Sequence, residues 1–412
     1  METRRICLDL TINSRPINKF DGKRIYVSTG DSDDMESGEV VGYYSRPSRA
    51  NVQPKINDVI FAKMANTDKT FLIDEDLVKN IYSTGFFDVS SKRIYPKFLY
   101  YVIKSDEFNG YKNAYSEGTT QVSISDKRLR NIKITYETDV NKQKNIADFL
   151  DFRIGQIDKL ILCLKNQITE ITAIIDSLIN EEIYHKHLRE DCLYVNKDWL
   201  GKINKSWEIK KFKYLFTISK GLDITKSDLT LEGIPVISYG QTHNQKFLYN
   251  FSNNINDLPK VPETYLQFKK CIIKKGDFIF VDTSEDIKGS TDFSMHSTDD
   301  ICLAGYHSLL AKPRSNIDSR FFMYQFRSSM WAHQIKARVE GVKVYSITQR
   351  ILSNVEVVVP TIEEQKNIAD TLDRLIAKYD YLIKIKNKKI DELENLKKSL
   401  IYEYVSGEKE VL

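Results

Sequence analysis

"QKNIADFLD" occupies residues 143–151 and "QKNIADTLD" occupies residues 365–373; they differ only at Phe149 against Thr371. A nine-residue word repeated 222 positions later calls first for a test of internal duplication, because a missed repeat misreads the architecture. The match extends upstream in the same order. "EGTTQVSISDKRLRNIKI" (117–134) aligns with "EGVKVYSITQRILSNVEV" (340–357), and "YPKFLYYVIKS" (95–105) aligns with "DSRFFMYQFRS" (318–328). Earlier still, "NDVIFAK" (57–63) parallels "GDFIFVD" (276–282), and "IYVSTG" (25–30) loosely echoes "PVISYG" (235–240). One unit of roughly 220 residues is therefore written twice, a period far longer than the ~20–50 residues of a solenoid repeat.

Each unit reads in two parts. Residues 1–136 and 193–358 carry short β-branched and aromatic runs such as "KRIYVSTG", "DVIFAK" and "DFIFVD", bounded by Gly, Asn, Asp and Ser. These are strand and turn signals. One helix is expected around 96–109 and its counterpart around 319–332, with Tyr101 and Tyr324 facing the core. The intervening and final stretches, 137–192 and 359–412, switch to a helical pattern.

In the first, Leu150, Ile154, Ile157, Ile161, Leu164, Ile168, Ile171, Ile175 and Leu178 alternate in steps of four and three, a coiled-coil seam. The second places Leu372, Ile376, Tyr379, Ile383, Ile390, Leu393 and Leu400 at corresponding positions, with Lys386 and Lys397 interrupting the apolar rule. Thr361 followed three residues later by Glu364 has the spacing of a capping box. A lone amphipathic helix of ~40 residues, roughly 60 Å long, cannot bury its own seam. The expected fold is α+β: two β-rich mixed domains joined by two long helices that form an antiparallel coiled coil, with a pseudo-twofold internal duplication. Helices tucked separately against their own domains are the alternative.

Composition bounds the chemistry without deciding it. The 412 residues hold 61 basic and 57 acidic side chains, a net charge of +4 that is weak support for a nucleic-acid partner. Five cysteines without a C-x-x-C pair read as reduced thiols, and no run approaches the ~18 apolar residues of a membrane helix. A cytoplasmic location with no membrane partner is expected. The sequence lacks a G-x-x-x-x-G-K-[ST] phosphate loop, a G-x-G-x-x-G fingerprint, an H-E-x-x-H motif and the N-P-P-[YF] tetrapeptide that amino-methyltransferases use. His185 and His187 with Glu190 and Asp191 read as a solvated helix end, and "GDSDDMESGE" (30–39) as a surface loop, so no catalytic or metal site is expected.

Several landmarks then resemble a known family. "VNKDWLGKINKSWEIKKFKYLFTISKG" (195–221), "GIPVISYGQTHN" (233–244), "KKGDFIFV" (274–281), "EEQKNIADTLD" (363–373) and "LKKSLIYEYVSGEKEV" (396–411) are similar to segments of the specificity subunits of Type I restriction–modification systems. The similarity runs through essentially the whole chain in the expected order. It implies a non-catalytic subunit in which each β-rich target recognition domain reads half of a split sequence in double-stranded DNA. It also implies that the paired helices set the gap and dock two modification methyltransferase subunits. The resemblance places S-adenosylmethionine on those partners, ATP and Mg²⁺ on motor-nuclease restriction subunits, and no cofactor on this chain. There are departures: the first domain has no evident copy of "TISKG", and Val344 stands after Gly341 where Gln121 stands after Gly118.

Base readout needs hydrogen-bonding side chains on exposed loops, and phosphate contacts need cations or backbone amides. The first candidates are Thr119, Thr120 and Gln121 in one half and Lys343, Tyr345 and Ser346 in the other, each set following a glycine. Ser28 and Thr29, with Tyr239, Gln241 and Thr242, come next, and Lys92, Arg93, Lys127 and Arg128 are candidate phosphate grips. Residues 1–136 hold 21 basic and 18 acidic side chains, so no domain-wide positive field steers the first domain onto DNA. The rival readings are a fused methyltransferase or nuclease, a coiled-coil scaffold without DNA readout, and a recognition subunit of another multi-subunit restriction–methylation system.

Overall fold

The computed structural model describes residues 2–5, 8–30, 38–118, 122–188, 192–314, 316–339 and 344–411. The chain divides into two compact units, one of residues 1–166 with 386–412 and the other of 167–385. The long helices, Val140–Asn180 and Ile362–Val405, each contribute one portion to either unit. No described helix is long and apolar enough to cross a membrane.

In the first unit an antiparallel sheet runs in the order Thr11–Asn13, Phe86–Ser90, Val59–Ala62, Thr70–Leu72. The central strand "VIFA" is buried along its whole length, so a near-continuous apolar run is what its position demands. A second sheet orders Glu39–Gly42, Lys23–Val27, Ile81–Ser83 and Ala50–Val52, its middle pair parallel.

The second unit repeats this plan. Phe216–Lys220, Ser308–Pro313 and Phe278–Val281 stand where Thr11–Asn13, Phe86–Ser90 and Val59–Ala62 stand in the first. Ile234–Ile237 pairs parallel with Cys302–Ala304, as Lys23–Val27 does with Ile81–Ser83. The first domain therefore does contain the strand for which no copy was evident: "TIN" (11–13) holds the place of "TIS" (217–219). The sequence hides it because the shift is 206 there rather than 222.

Each single helix expected beside the sheets is in fact two. Pro96–Lys104 is followed by Asp106–Ala114, and Ser319–Arg327 by Ser329–Lys336. Ser105 and Ser328 break the run: each is extended, and its hydroxyl accepts from a backbone N–H of the next helix, Phe108 or Trp331, at 3.3 Å. Serine does this because its side chain competes with helical hydrogen bonding and caps well.

The long helices begin on their own domains. Gln143 is fully buried; its amide donates to the Glu137 carbonyl at 2.7 Å and accepts from the Tyr95 N–H at 2.7 Å. Gln365 repeats this, donating to the Pro360 carbonyl at 2.8 Å and accepting from the Asp318 N–H at 3.0 Å. Ile146, Ala147 and Leu150 are buried, as are Ile368, Ala369 and Leu372. Tyr101, 4% exposed, donates to Asp151 at 2.5 Å, and Tyr324, also 4% exposed, donates to Asp373 at 2.6 Å. Burial, then the adjoining carboxylate, pushes both phenols up, so they remain donors. The repeated word is thus a socket fitting, with most of its identical letters spent on the helix's own domain. Thr361 and Glu364 form the expected reciprocal cap, at 3.3 and 3.1 Å.

Beyond the socket the helices pack on each other. Within the first unit the rings of Phe149 and Tyr404 lie 4.5 Å apart, and Lys397 reaches Asp158 at 2.6 Å. Advancing along one helix retreats along the other, so the pair is antiparallel. Ile157, Ile161 and Leu393 are buried between them with Leu164, Ile390 and Leu400 at the margin. The Asp158 pair is how Lys397 occupies a seam position. Within the second unit, Ile171, Ile175, Ile179 and Ile183 join one core with Leu372 and Ile376. Here the seam departs from the heptad: Ile179 is fully buried and Leu178 only half-buried. Steps of four replace the three-four alternation because this end of the helix packs on the domain as well as on its helical partner. It ends in a π-turn, Glu181–His185.

Candidate nucleic-acid interface

Three segments that lie far apart in sequence meet at one end of each domain. In the first, Lys63 follows the central strand; its N–H donates to the Gly85 carbonyl at 2.8 Å, and its carbonyl accepts from the Ile124 N–H at 2.9 Å. In the second, Asp282 holds the same place, donating to the His307 carbonyl at 3.1 Å and accepting from the Ile347 N–H at 2.9 Å. Met64 then bridges to Ser123, as Thr283 pairs with Ser346. The loop after each glycine is thereby stitched to the end of the central strand. Gly118 has φ +140°, backbone that L side chains rarely adopt, so a glycine is needed where the chain turns into the first loop.

The third segment follows the parallel strand. Gly85 lies so close to Thr29 that an added Cβ would stand 2.9 Å from its methyl group, and a Cβ on Gly305 would stand 2.2 Å from the Ser238 hydroxyl oxygen. Ser28 and Thr29 are half-buried, and the Ser28 carbonyl accepts from the Lys69 ammonium at 3.4 Å. Tyr239 is 36% exposed. Gln241 caps its own short helix by accepting from the Ser238 N–H at 3.1 Å. Thr242 is fully buried and its hydroxyl donates to the Ser238 carbonyl at 3.2 Å, so it serves the domain's interior rather than its outer surface. Ser346 is exposed and Tyr345 half-buried; Thr119, Thr120, Gln121 and Lys343 lie outside the described residues.

The candidate phosphate grips divide. Lys92 and Arg93 stand beyond the far end of strand Phe86–Ser90, whose five residues span about 17 Å at 3.3–3.4 Å per residue. Arg93 donates to the buried Asp9 at 3.2 Å, and Asp9 also accepts from Tyr136, so that pair closes the opposite end. Arg128 is committed to the Glu117 carboxylate and to the Tyr115 carbonyl at 3.1 Å. Lys127 is exposed on the same short helix, Asp126–Leu129.

Sequence reasoning missed Lys63, Asp282, Tyr306, His243 and His307. The signal was present in "VIFAK" against "FIFVD", where matched strands end in opposite charges. The Lys63 ammonium donates to the Thr84 carbonyl at 2.8 Å, and burial lowers its pKa. Near Asp282, His243 places Nδ1 2.8 Å from Asp292 and Nε2 3.2 Å from the Thr283 carbonyl. Two acceptors call for two ring protons, and the Asp292 bond raises this imidazole's pKa accordingly. Among the described residues no group of three His, Cys, Asp or Glu could hold a metal ion.

The duplicated domains thus carry loop clusters that share backbone bonding and differ in side chains. Comparison identifies the family. The model of the type I restriction modification DNA specificity domain matches residues 10–173 and 204–395, and the chain belongs to that family of non-catalytic specificity subunits. It is 24% identical over 313 residues to the type I restriction enzyme MjaVIII specificity subunit of Methanocaldococcus jannaschii, covering 75% of this chain and 69% of that one. The EcoKI specificity subunit of Escherichia coli matches over 185 residues at 24% identity, 44% of this chain and 38% of the relative. A structure solved in work on the complex assembly and conformational transition of the type I R-M system superposes with a TM-score of 0.63. Its identity is 16%, and the match covers 99% of this chain and 98% of that one, which supports the shared fold.

Proposed function

We propose that the chain reads a two-part, asymmetric site in double-stranded DNA, one half per domain, and carries two modification methyltransferase subunits on its helices. The observation that carries this reading is the pair of loop clusters, whose backbone bonding is the same while Lys63 and Gly85 in one become Asp282 and His307 in the other. Base edges are told apart by donor and acceptor placement, so a common frame with exchanged side chains suits two different half-sites.

The helices support the partner reading. Leu160 and Leu382, 222 residues apart, are 54% and 43% exposed; Ile174 and Leu396, equally spaced, are 43% and 47% exposed. The first unit thus holds Leu160 with Leu396, and the second holds Leu382 with Ile174. Each unit exposes an apolar side chain from each helix, at positions related by the duplication, which suits two copies of one partner. On this reading S-adenosylmethionine binds to those methyltransferase subunits, and ATP with Mg²⁺ to motor-nuclease restriction subunits, in a cytoplasmic complex.

Replacing residues 1–136 by the corresponding domain of a relative should alter one half of the methylated sequence and leave the other. An unchanged methylation pattern would refute the half-site assignment. The chain alone should bind DNA weakly and gain affinity with the modification subunits in a gel-shift titration; tight specific binding without them would contradict this.

A further inference from the structure

The loop cluster of the second domain contains two histidines bonded to aspartates, and they differ in one respect. His243 spends both ring nitrogens inside the protein, on Asp292 and the Thr283 carbonyl. His307 spends one. Its Nδ1–H donates to Asp282 at 2.7 Å, and among the described residues Nε2 has no hydrogen-bond partner. The side chain is 37% exposed. In the neutral ring, a proton held on Nδ1 by the carboxylate leaves a lone pair on Nε2.

The surroundings hold that ring in place. His307 has φ +52°, a left-handed conformation uncommon for residues other than glycine and associated with functional sites. Its ring lies 4.0 Å from that of Tyr306 and 5.5 Å from that of Tyr239, both edge-on. Tyr306 is 40% exposed. Asp282 is itself fixed by the backbone bonds to His307 and Ile347. An imidazole oriented at three sides, on a strained residue, with its remaining nitrogen unspent, is built to meet something outside the chain. Where the first domain has the same backbone, it has Gly85 and Lys63, which provide no such group.

Resting on the reading that this domain recognises one half-site, we infer that His307 is a specificity-determining residue of the second domain. Its Nε2 accepts a hydrogen bond from the exocyclic amino group of an adenine or cytosine in the major groove, where such groups distinguish the strands. Asp282 is a positioning residue that fixes the ring's tautomer and angle. Tyr239 and Tyr306 flank the contact.

The test uses the complex with its modification subunits, a DNA library randomised across the site, and sequencing of the methylated molecules. H307G removes the ring while suiting the positive φ, and it reproduces the residue of the first domain. It should relax preference at one base pair of the second half about tenfold, with the first half unchanged. D282A should relax the same position less, and D282N, which keeps an acceptor for Nδ1–H, should restore much of the preference. A second half read by H307G as by the wild type overturns the inference. If H307G yields no methylation, D282A and D282N decide by the same readout: an unaltered consensus in both overturns it. A wild-type consensus that does not fall into two halves would instead overturn the half-site reading itself.

Discussion

Gln365→Ala puts a number on the socket that seats the second long helix. The side chain is 2% exposed and makes two hydrogen bonds to backbone, one donated to Pro360 and one accepted from Asp318. Each bond is worth about 1 kcal/mol net, and a stranded backbone partner costs about 1–3 kcal/mol when water cannot reach it. The expected loss is about 3 kcal/mol. All three tryptophans, Trp199, Trp207 and Trp331, belong to the second unit, so their fluorescence follows its unfolding. With a urea slope of about 3 kcal/mol/M, the midpoint should fall by about 1 M. Lys366→Ala, at the exposed neighbouring letter of the same repeated word, should change stability by less than about 0.5 kcal/mol. A Gln365→Ala midpoint within about 0.2 M of wild type, or an equal effect from Lys366→Ala, would refute the socket explanation of the repeat.

Gly155 sits inside the first long helix with open space around an added Cβ, so Gly155→Ala should stabilise the first unit by about 0.5–1 kcal/mol, read by far-UV circular dichroism in urea. The Asp292 bond raises the His243 pKa above its ordinary 6.5, so its contribution is complete below that value and is lost as pH rises through the folded pKa. Wild-type stability should therefore fall from about pH 6 toward pH 8 more steeply than that of His243→Asn; equal slopes in urea titrations across that range would contradict the assignment. Leu160→Glu or Leu382→Glu should reduce bound modification subunits from two to one in light scattering of the reconstituted complex, and the double substitution should remove both. Retention of two copies by the double variant would exclude these residues from the docking surface.

The duplication, the strand-to-helix switch and the capping box were legible because they live in local spacing and in repeated words. The helix breaks at Ser105 and Ser328 were not, since each interrupts an apolar pattern that continues on both sides. The missing first-domain strand lay behind a changed repeat shift. For the candidate interface, the glycine-led loops were legible, and the structure brings them to the end of each domain where three segments meet, with Ser346 and Tyr239 beside them in the second. Lys92 and Arg93 lie at the other end because charge alone does not say which end of a strand a residue adjoins. His307 and Asp282 were invisible for a similar reason: their partnership spans 25 residues and joins the ends of strands Phe278–Val281 and Ser308–Pro313.

Sharing helices between the two units has a consequence for synthesis. The first unit's core includes Ile401 and Val405, and its helical seam includes Leu393. These arrive more than 200 residues after residue 166, and at about 5–20 residues per second the ribosome needs on the order of 10–50 s to supply them. Until then Leu150, Ile157 and Ile161 wait with part of their covering absent. Nascent chains stalled inside the second domain should therefore expose a sticky amphipathic helix, which makes the interval before completion the period when this protein most needs a chaperone.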